Sequence, residues 1–159
     1  MPDIVDVSET IAATPDDLYE MVADLPRMGD WSPECAGGEW LDDVKEPRPG
    51  ARFKGRNENG TKTWRTVCTI TAAVPGREIA WESRAFGRPV AFWRYRFAPD
   101  GHGGTVVTES TEDRRGLFLR AFASTATGVS DRRTHNVETM RITLGRLKVA
   151  AESVRRHGT

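Results

Sequence analysis

The chain has 159 residues, in which 23 Lys and Arg balance 23 Asp and Glu, so its formal net charge is zero. This balance disfavours a nucleic-acid-binding protein, because such proteins usually carry a clear excess of basic residues. No segment approaches the roughly 20 apolar residues of a membrane-spanning helix. We expect no membrane insertion, no signal peptide and, with only two cysteines, a location in the cytoplasm. The length predicts a single domain over residues 1–159.

The N-terminal part of the chain predicts a strand followed by a helix. The strand covers Ile4–Ile11, which is rich in β-branched residues. Thr14 is a favourable N-cap for the helix, and apolar residues recur with helical spacing as far as Leu25. Pro26 ends this helix, and residues 27–31 are expected to form a short second turn.

In the middle of the chain, hydrophobic residues recur with a period of two. Short turns rich in Gly, Pro and Asn separate these segments. Such connections join antiparallel neighbours, whereas a parallel crossover needs about a dozen residues. The predicted strands are Glu39–Asp42, Ala51–Asn57, Lys62–Val74, Glu78–Phe86, Val90–Ala98 and Thr105–Glu112.

The last third of the chain is predicted to be helical, with apolar residues spaced three and four apart from Phe118 to Val154. One unbroken helix over Gly116–Arg156 would be about 60 Å long, roughly twice the width of a small domain. We therefore place a break near Ser124–Gly128, followed by a C-terminal helix of about 28 residues. The fold class is α+β, a seven-stranded antiparallel sheet whose concave face covers the long helix.

Strand alternation predicts which side chains face that helix. Trp64, Trp81, Trp93 and Tyr95 fall on the inner face, beside small residues such as Ser83. Aromatic walls with a few polar groups are typical of a small-molecule pocket. The same rings would also serve to fill the space between sheet and helix, and both interpretations stay open.

Polar residues on the long helix add a second indication of a cavity. With Met140 at the centre of the buried stripe, Arg133 and Asn136 fall within the apolar face at 100° per residue. Buried groups of this kind need a partner or a wet cavity, and Glu9 and Glu109 are the candidate partners. The alternative is that Arg133 extends to solvent from the first turns of the helix.

Other chemistry-bearing residues give no site. His135 is predicted on the outer face of the helix, with Asp131 as a local partner. No two of Cys35, Cys68, His102 and His135 have metal-ligand spacing, so no metal is expected. The sequence also has no phosphate loop, dinucleotide fingerprint or nucleophile elbow, and we expect no cofactor.

Several segments resemble the polyketide cyclase/dehydrase and START-like superfamily (SRPBCC). They are Val5–Tyr19, Ala23–Pro33, Trp93–Phe97 and Gly103–Glu109. The resemblance implies a helix-grip fold, in which a curved seven-stranded sheet wraps a long C-terminal helix around a hydrophobic cavity. Members of this superfamily include ring-forming cyclases, dehydratases, and lipid and hormone carriers.

The leading hypothesis is therefore a protein that binds a small hydrophobic or aromatic molecule, lipid- or polyketide-like, as a monomer or homodimer. The first alternative is a cyclase- or dehydratase-type enzyme, with Glu109 as base and Arg133 stabilising an enolate. The second is a protein-interaction module, which outward Val67 and Phe92 would favour. The candidate cavity residues are Trp64, Trp81, Trp93, Tyr95, Glu109, Arg133, Asn136 and Met140.

Overall fold

The computed structural model describes residues 3–157. Within them, seven strands form one antiparallel sheet in the order β1-β7-β6-β5-β4-β3-β2. The strands are β1 Asp3–Ile11, β2 Cys35–Trp40, β3 Arg52–Asn59, β4 Lys62–Val74, β5 Glu78–Ala85, β6 Arg88–Pro99 and β7 Thr105–Asp113. The helices are α1 Pro15–Ala23, a 3-10 helix at Leu25–Asp30, α2 Leu117–Thr127 and α3 Arg132–His157.

The core lies at the end of the sheet where α1 and the C-terminal half of α3 meet its inner face. Leu18 and Val22 of α1 pack in one cluster with Leu144 and Leu147 of α3. All four side chains are buried, and Ile79 of β5 lies in the same cluster. The apolar residues that recur with helical spacing in the sequence are thus the ones that face the sheet.

The predicted order of elements is confirmed, several strand ends differ by one or two residues, and two larger differences have a physical reason. β2 begins at Cys35 rather than Glu39, because Gly37 and Gly38 take positive φ angles and pack against β3. A Cβ at Gly38 would lie 1.9 Å from the carbonyl oxygen of Lys54, so this glycine allows the close approach. The first helix ends at Ala23, since Pro26 has no N–H to donate to the Val22 carbonyl and Asp24 leaves the helical conformation.

Three strand pairings contain a register shift, and none of them involves β1 or β7. The shifts fall between Cys35 and Gly37, between Ile70 and Ala72, and between Ser83 and Arg84. The second one changes the alternation of β4, so that Ala73, which pairs with Ile79, packs against the core in place of the predicted Ala72. Bulges of this kind bend a strand and increase its twist.

The break between the last two helices falls where the sequence predicted it. Gly128 adopts the left-handed conformation with φ 70° and its N–H donates to the Ser124 carbonyl, which ends α2. Asp131 then accepts hydrogen bonds from the backbone N–H and the hydroxyl of Thr134 in the first turn of α3. Among residues 3–157, none of the helices combines the length and apolar character that a membrane span requires.

The Thr14 N-cap gives a direct test of the start of α1. Its Oγ1 accepts a hydrogen bond of 3.1 Å from the N–H of Asp17. Thr14→Ala should lower the free energy of unfolding by about 1 kcal/mol, because one helical N–H loses its partner. Urea denaturation measures this change. Thr14→Ser keeps the hydroxyl and is the matched control, so equal losses in both variants would contradict the assignment.

Candidate functional site

A cavity of about 160 Å³ lies between the sheet, α2 and the N-terminal half of α3. It forms where small residues on the inner face of the sheet lie between larger aromatic side chains and leave the space below the helices unfilled. The small residues of the sheet at this level are Gly55, Thr66, Ser83, Ala85 and Ala91, and those of α2 are Ala123 and Ala126.

Three tryptophan rings form the larger surfaces of the cavity. Trp64 of β4, Trp81 of β5 and Trp93 of β6 all line it. Trp81 stacks on Tyr95, with ring centroids 5.8 Å apart and an interplanar angle of 23°. Trp93 pairs with Trp81 across the strands, so the two rings lie side by side on the inner face. The result is an aromatic wall on the inner face of the sheet.

A buried carboxyl group lies on this inner face. Glu109 of β7 is 3% exposed and its register partner Tyr95 is 2% exposed. The Tyr95 hydroxyl donates a hydrogen bond of 2.6 Å to Oε1 of Glu109. The second oxygen, Oε2, is buried and has no hydrogen-bond partner among the described residues. Burial raises the pKa of Glu109 to about 8, although the Tyr95 hydrogen bond lowers it in part.

A row of smaller polar groups crosses the neighbouring strands. The Asn57 amide donates to Oγ1 of Thr66 at 3.1 Å, and the Cys68 thiol lies 3.3 Å from the Ser83 hydroxyl. Burial raises the pKa of the Cys68 thiol, so it is uncharged at neutral pH. These groups satisfy one another and leave this part of the wall neutral.

Ion pairs hold the charged groups that reach the cavity. Nη1 of Arg132 lies 2.9 Å from both carboxylate oxygens of Glu34, and the guanidinium lies 5.8 Å from the Trp64 ring centroid. Arg115 binds both oxygens of Asp113, at 3.0 and 2.7 Å. Each of these four charged side chains therefore has an opposite charge beside it.

The structure brings most of the sequence-predicted residues together. Trp64, Trp81, Trp93, Tyr95, Glu109 and Asn136 line the cavity. Val107 is buried and Val106 is not, which places Glu109 on the inner face. Met140 is 1% exposed on the same side of α3 as Asn136, but it packs beside the cavity and does not line it.

Arg133 and Glu9 lie elsewhere. The Arg133 side chain is 57% exposed and forms an ion pair with Asp3 at the start of β1. It lies in the first turn of α3, where it extends to solvent as in the alternative weighed from the sequence. Arg132, one residue earlier and 100° around the helix, lines the cavity instead. Glu9 is half-buried with its carboxylate 3.9 Å from the Lys148 amine.

His135 has a different partner from the one predicted. Its Nε2 lies 2.6 Å from Oε2 of Glu34, while Asp131 is engaged by Thr134 at the start of α3. The Asp-x-x-Thr spacing is a helix-start signal that the sequence analysis missed. Glu34 and α2 were also missed as parts of the site. Glu34 is 98 residues from Arg132 in the chain, so no local pattern links them.

The comparison with family models decides the relationship of this chain. A model described as "Polyketide cyclase / dehydrase and lipid transport" matches residues 3–152. The chain belongs to this family. The polyketide cyclase/dehydrase relationship inferred from the four segments named above is thereby confirmed. No curated protein sequence matches the chain at a significant level.

Solved structures agree with the polyketide cyclase/dehydrase assignment. A Polyketide_cyc-like protein of Corynebacterium glutamicum is 30% identical, with a TM-score of 0.60, over 99% of this chain and 96% of that one. A START superfamily protein of Mycobacterium smegmatis has a TM-score of 0.66 at 14% identity, over 95% of this chain and 98% of that one. The latter shows the fold alone and confirms the helix-grip architecture.

The di-domain ARO/CYC protein StfQ of the steffimycin biosynthetic pathway is similar over its fold as well. Its TM-score is 0.72 at 16% identity, and the match covers 100% of this chain. This chain spans 53% of StfQ.

Glu109 predicts a pH-dependent stability. The folded protein keeps a proton up to about pH 8 that the unfolded chain releases near 4.5, so raising the pH between these values favours unfolding. The parent should lose stability relative to Glu109→Gln by up to about 1.4 kcal/mol per pH unit in this window, and by nothing further above it. Urea denaturation of both proteins across the window measures the difference.

The control for this measurement is Glu20→Gln on the exposed face of α1. It removes one carboxylate without touching the cavity. Parallel stability curves for the parent and Glu109→Gln would contradict a protonated Glu109 in the folded state.

Proposed function

We propose that this protein binds a small hydrophobic or aromatic molecule in the cavity between the sheet and α3. The observation that carries the proposal is a space of about 160 Å³ walled by three tryptophan rings and small side chains. Pockets of this composition, mainly apolar with a few placed polar groups, are typical of small-molecule sites. The family description, which includes lipid transport, supports the same conclusion.

The arrangement of charges suits an uncharged ligand. The carboxylates of Glu34 and Asp113 are already bound by Arg132 and Arg115, so neither arginine is free to select an anion. Aromatic area supplies most of the contact surface, and rings of a ligand gain additional energy by stacking on it. A flat apolar molecule with few polar atoms matches this cavity best.

A cyclase- or dehydratase-type activity is the second candidate, and the unpartnered oxygen of Glu109 favours it. With a pKa of about 8, Glu109 is mostly protonated at neutral pH and would act as a general acid rather than a base. The carboxyl group would give a proton to a substrate oxygen, and the Tyr95 hydroxyl would stabilise the carboxylate left behind. Arg133 has no part in this reaction, because it is bound to Asp3 at the surface.

The interaction-module alternative has less support. It calls for a filled interior and an apolar patch at Phe92, but the interior holds the cavity and Phe92 lies beneath two guanidinium groups. The ring centroid is 5.2 Å from Arg94 and 4.8 Å from Arg114. The two most exposed large apolar residues among those described, Leu117 and Phe118, lie instead on α2.

A cavity-filling variant tests ligand binding. Ala91 faces the cavity from β6, whereas Ala98 is exposed near the end of the same strand. Ala91→Phe should weaken binding of the uncharged fluorophore N-phenyl-1-naphthylamine more than about tenfold, which is about 1.4 kcal/mol of lost interaction. Fluorescence titration measures the change, and Ala98→Phe is the control with the same added ring.

Native mass spectrometry of freshly purified protein supplies the identity of the ligand. The parent and Ala98→Phe should carry a non-covalent adduct that disappears on denaturation, and Ala91→Phe should not. Equal fluorophore affinities for the two phenylalanine variants would overturn the proposed site.

A further inference from the structure

Large apolar side chains are exposed together at one end of the protein. Leu117 and Phe118 of α2 are 88% and 75% exposed. Phe122 lies one helical turn after Phe118, and its ring packs edge-on against Phe86 in the turn between β5 and β6, with centroids 5.5 Å apart. Phe122 and Phe86 are exposed as well, and we call these four residues the apolar patch. Neighbouring exposed apolar groups of this kind usually mark an interaction site.

The fold does not need these side chains where they lie. Phe86 has a φ of 53° and is followed by Gly87 with a φ of 71°, a turn in which Asn or Gly is favoured at the first position. A bulky side chain in this left-handed conformation reduces stability. Leu117 and Phe118 bury little of their surface, because α2 directs Leu119 and not these two residues toward the cavity. Residues kept at a cost to the fold are typical of functional positions.

Positive charge surrounds the apolar patch. Residues 114–130, which contain α2, include three arginines and no Asp or Glu. Arg88 begins β6 directly after the β5–β6 turn and forms no ion pair within the described part of the chain. Arg120 of α2 is 3.8 Å from Asp113, but Arg115 already binds both oxygens of that carboxylate. A chain whose net charge is zero therefore has an excess of positive charge at this end.

We propose that the apolar patch is a docking surface for a bilayer that contains anionic phospholipids. In the docked protein, α2 lies in the plane of the interface and the patch enters the boundary between headgroups and acyl chains. Arg88 and Arg120 then meet lipid phosphates, which neutralise the excess positive charge at this end. The protein lies on the bilayer without crossing it. This inference is independent of the proposed ligand-binding function.

Two other occupants fit the apolar patch less well. A second copy would contact it through a two-fold axis, so the same surface would meet itself and each arginine would approach another without an acidic partner. A protein partner needs a fitted pocket for each anchoring side chain. Leu117 and Phe118 protrude from a helix, and a fluid bilayer accepts protruding side chains in any arrangement.

Binding to vesicles tests the docking surface. We would measure co-sedimentation of the whole chain with sucrose-loaded vesicles of phosphatidylcholine mixed with phosphatidylglycerol, and with vesicles of phosphatidylcholine alone. The mixed vesicles should bind at least about tenfold more tightly, because each arginine near an anionic surface contributes roughly fivefold in affinity. High salt should remove this difference. Equal affinity for both kinds of vesicle, or no binding to either, would overturn the proposal.

The double variant Leu117→Ser/Phe118→Ser assigns vesicle binding to the apolar patch. Its affinity for the mixed vesicles should fall more than about tenfold, because the apolar area that enters the bilayer is lost. Val149→Ser is the matched control, since it removes an exposed apolar side chain from α3. None of these three residues lines the cavity, so both variants should bind N-phenyl-1-naphthylamine as the parent does. Equal vesicle affinities for the two variants would contradict the proposal.

Two single substitutions separate the charge of this surface from its shape. Arg88→Gln should weaken binding to the mixed vesicles about fivefold. Arg77→Gln is its control, in an exposed turn between β4 and β5 at the other end of the sheet. Phe86→Asn places a favoured residue in its turn, so vesicle affinity should fall while the urea midpoint does not. Unchanged vesicle affinity in Arg88→Gln and Phe86→Asn would count against the docking surface.

Two further outcomes would assign the apolar patch to another occupant and overturn the proposal. The first is a dimer of the parent that becomes a monomer in the double variant, as measured by sedimentation equilibrium. The second is binding of the parent to a soluble helical peptide with leucines on one face and glutamates on the other, without binding to the mixed vesicles. Fluorophore binding in the same samples reports on the cavity, so the two proposals fail separately.

Discussion

One helix is too narrow to fill the concave side of this sheet. Seven strands about 4.8 Å apart span roughly 29 Å, whereas a helix with its side chains is about 10–12 Å across. At one end, α1 and bulky residues such as Leu144 supply the missing volume. At the other end the sheet carries Gly55, Ser83 and Ala91, and α2 contributes alanines. The cavity is the consequence of this difference in width.

Glu109 lowers the stability of the fold, because one of its oxygens is buried without a hydrogen-bond partner among the described residues. A neutral carboxyl group with an unpaired donor reduces the stability of the fold, and ionising it reduces stability further. Tyr95 limits the cost by satisfying Oε1, and its own pKa rises because it is buried and lies beside this carboxyl group.

The sequence was sufficient for those features that depend on local rules. Period-two alternation identified the aromatic wall, and the inward Val107 determined the side of the sheet on which Glu109 lies. Features that depend on tertiary geometry were not accessible. Helical angles assigned Arg133 to the buried face of α3 but did not reveal that its side chain extends to solvent there and pairs with Asp3. The contact of Arg132 with Glu34 depends on the path of the chain between helix and sheet.

The three register shifts have a consequence for how such a cavity changes during evolution. An extra residue in one strand, as near Thr71, bends the sheet. The residues before and after it still lie on the same face of the sheet as their partners in the next strand. Removing or adding one residue at such a point would therefore alter the curvature of the sheet and the space it encloses. Every wall residue would keep its chemistry. Size and shape of the site can thus diverge among relatives independently of the groups that recognise the ligand.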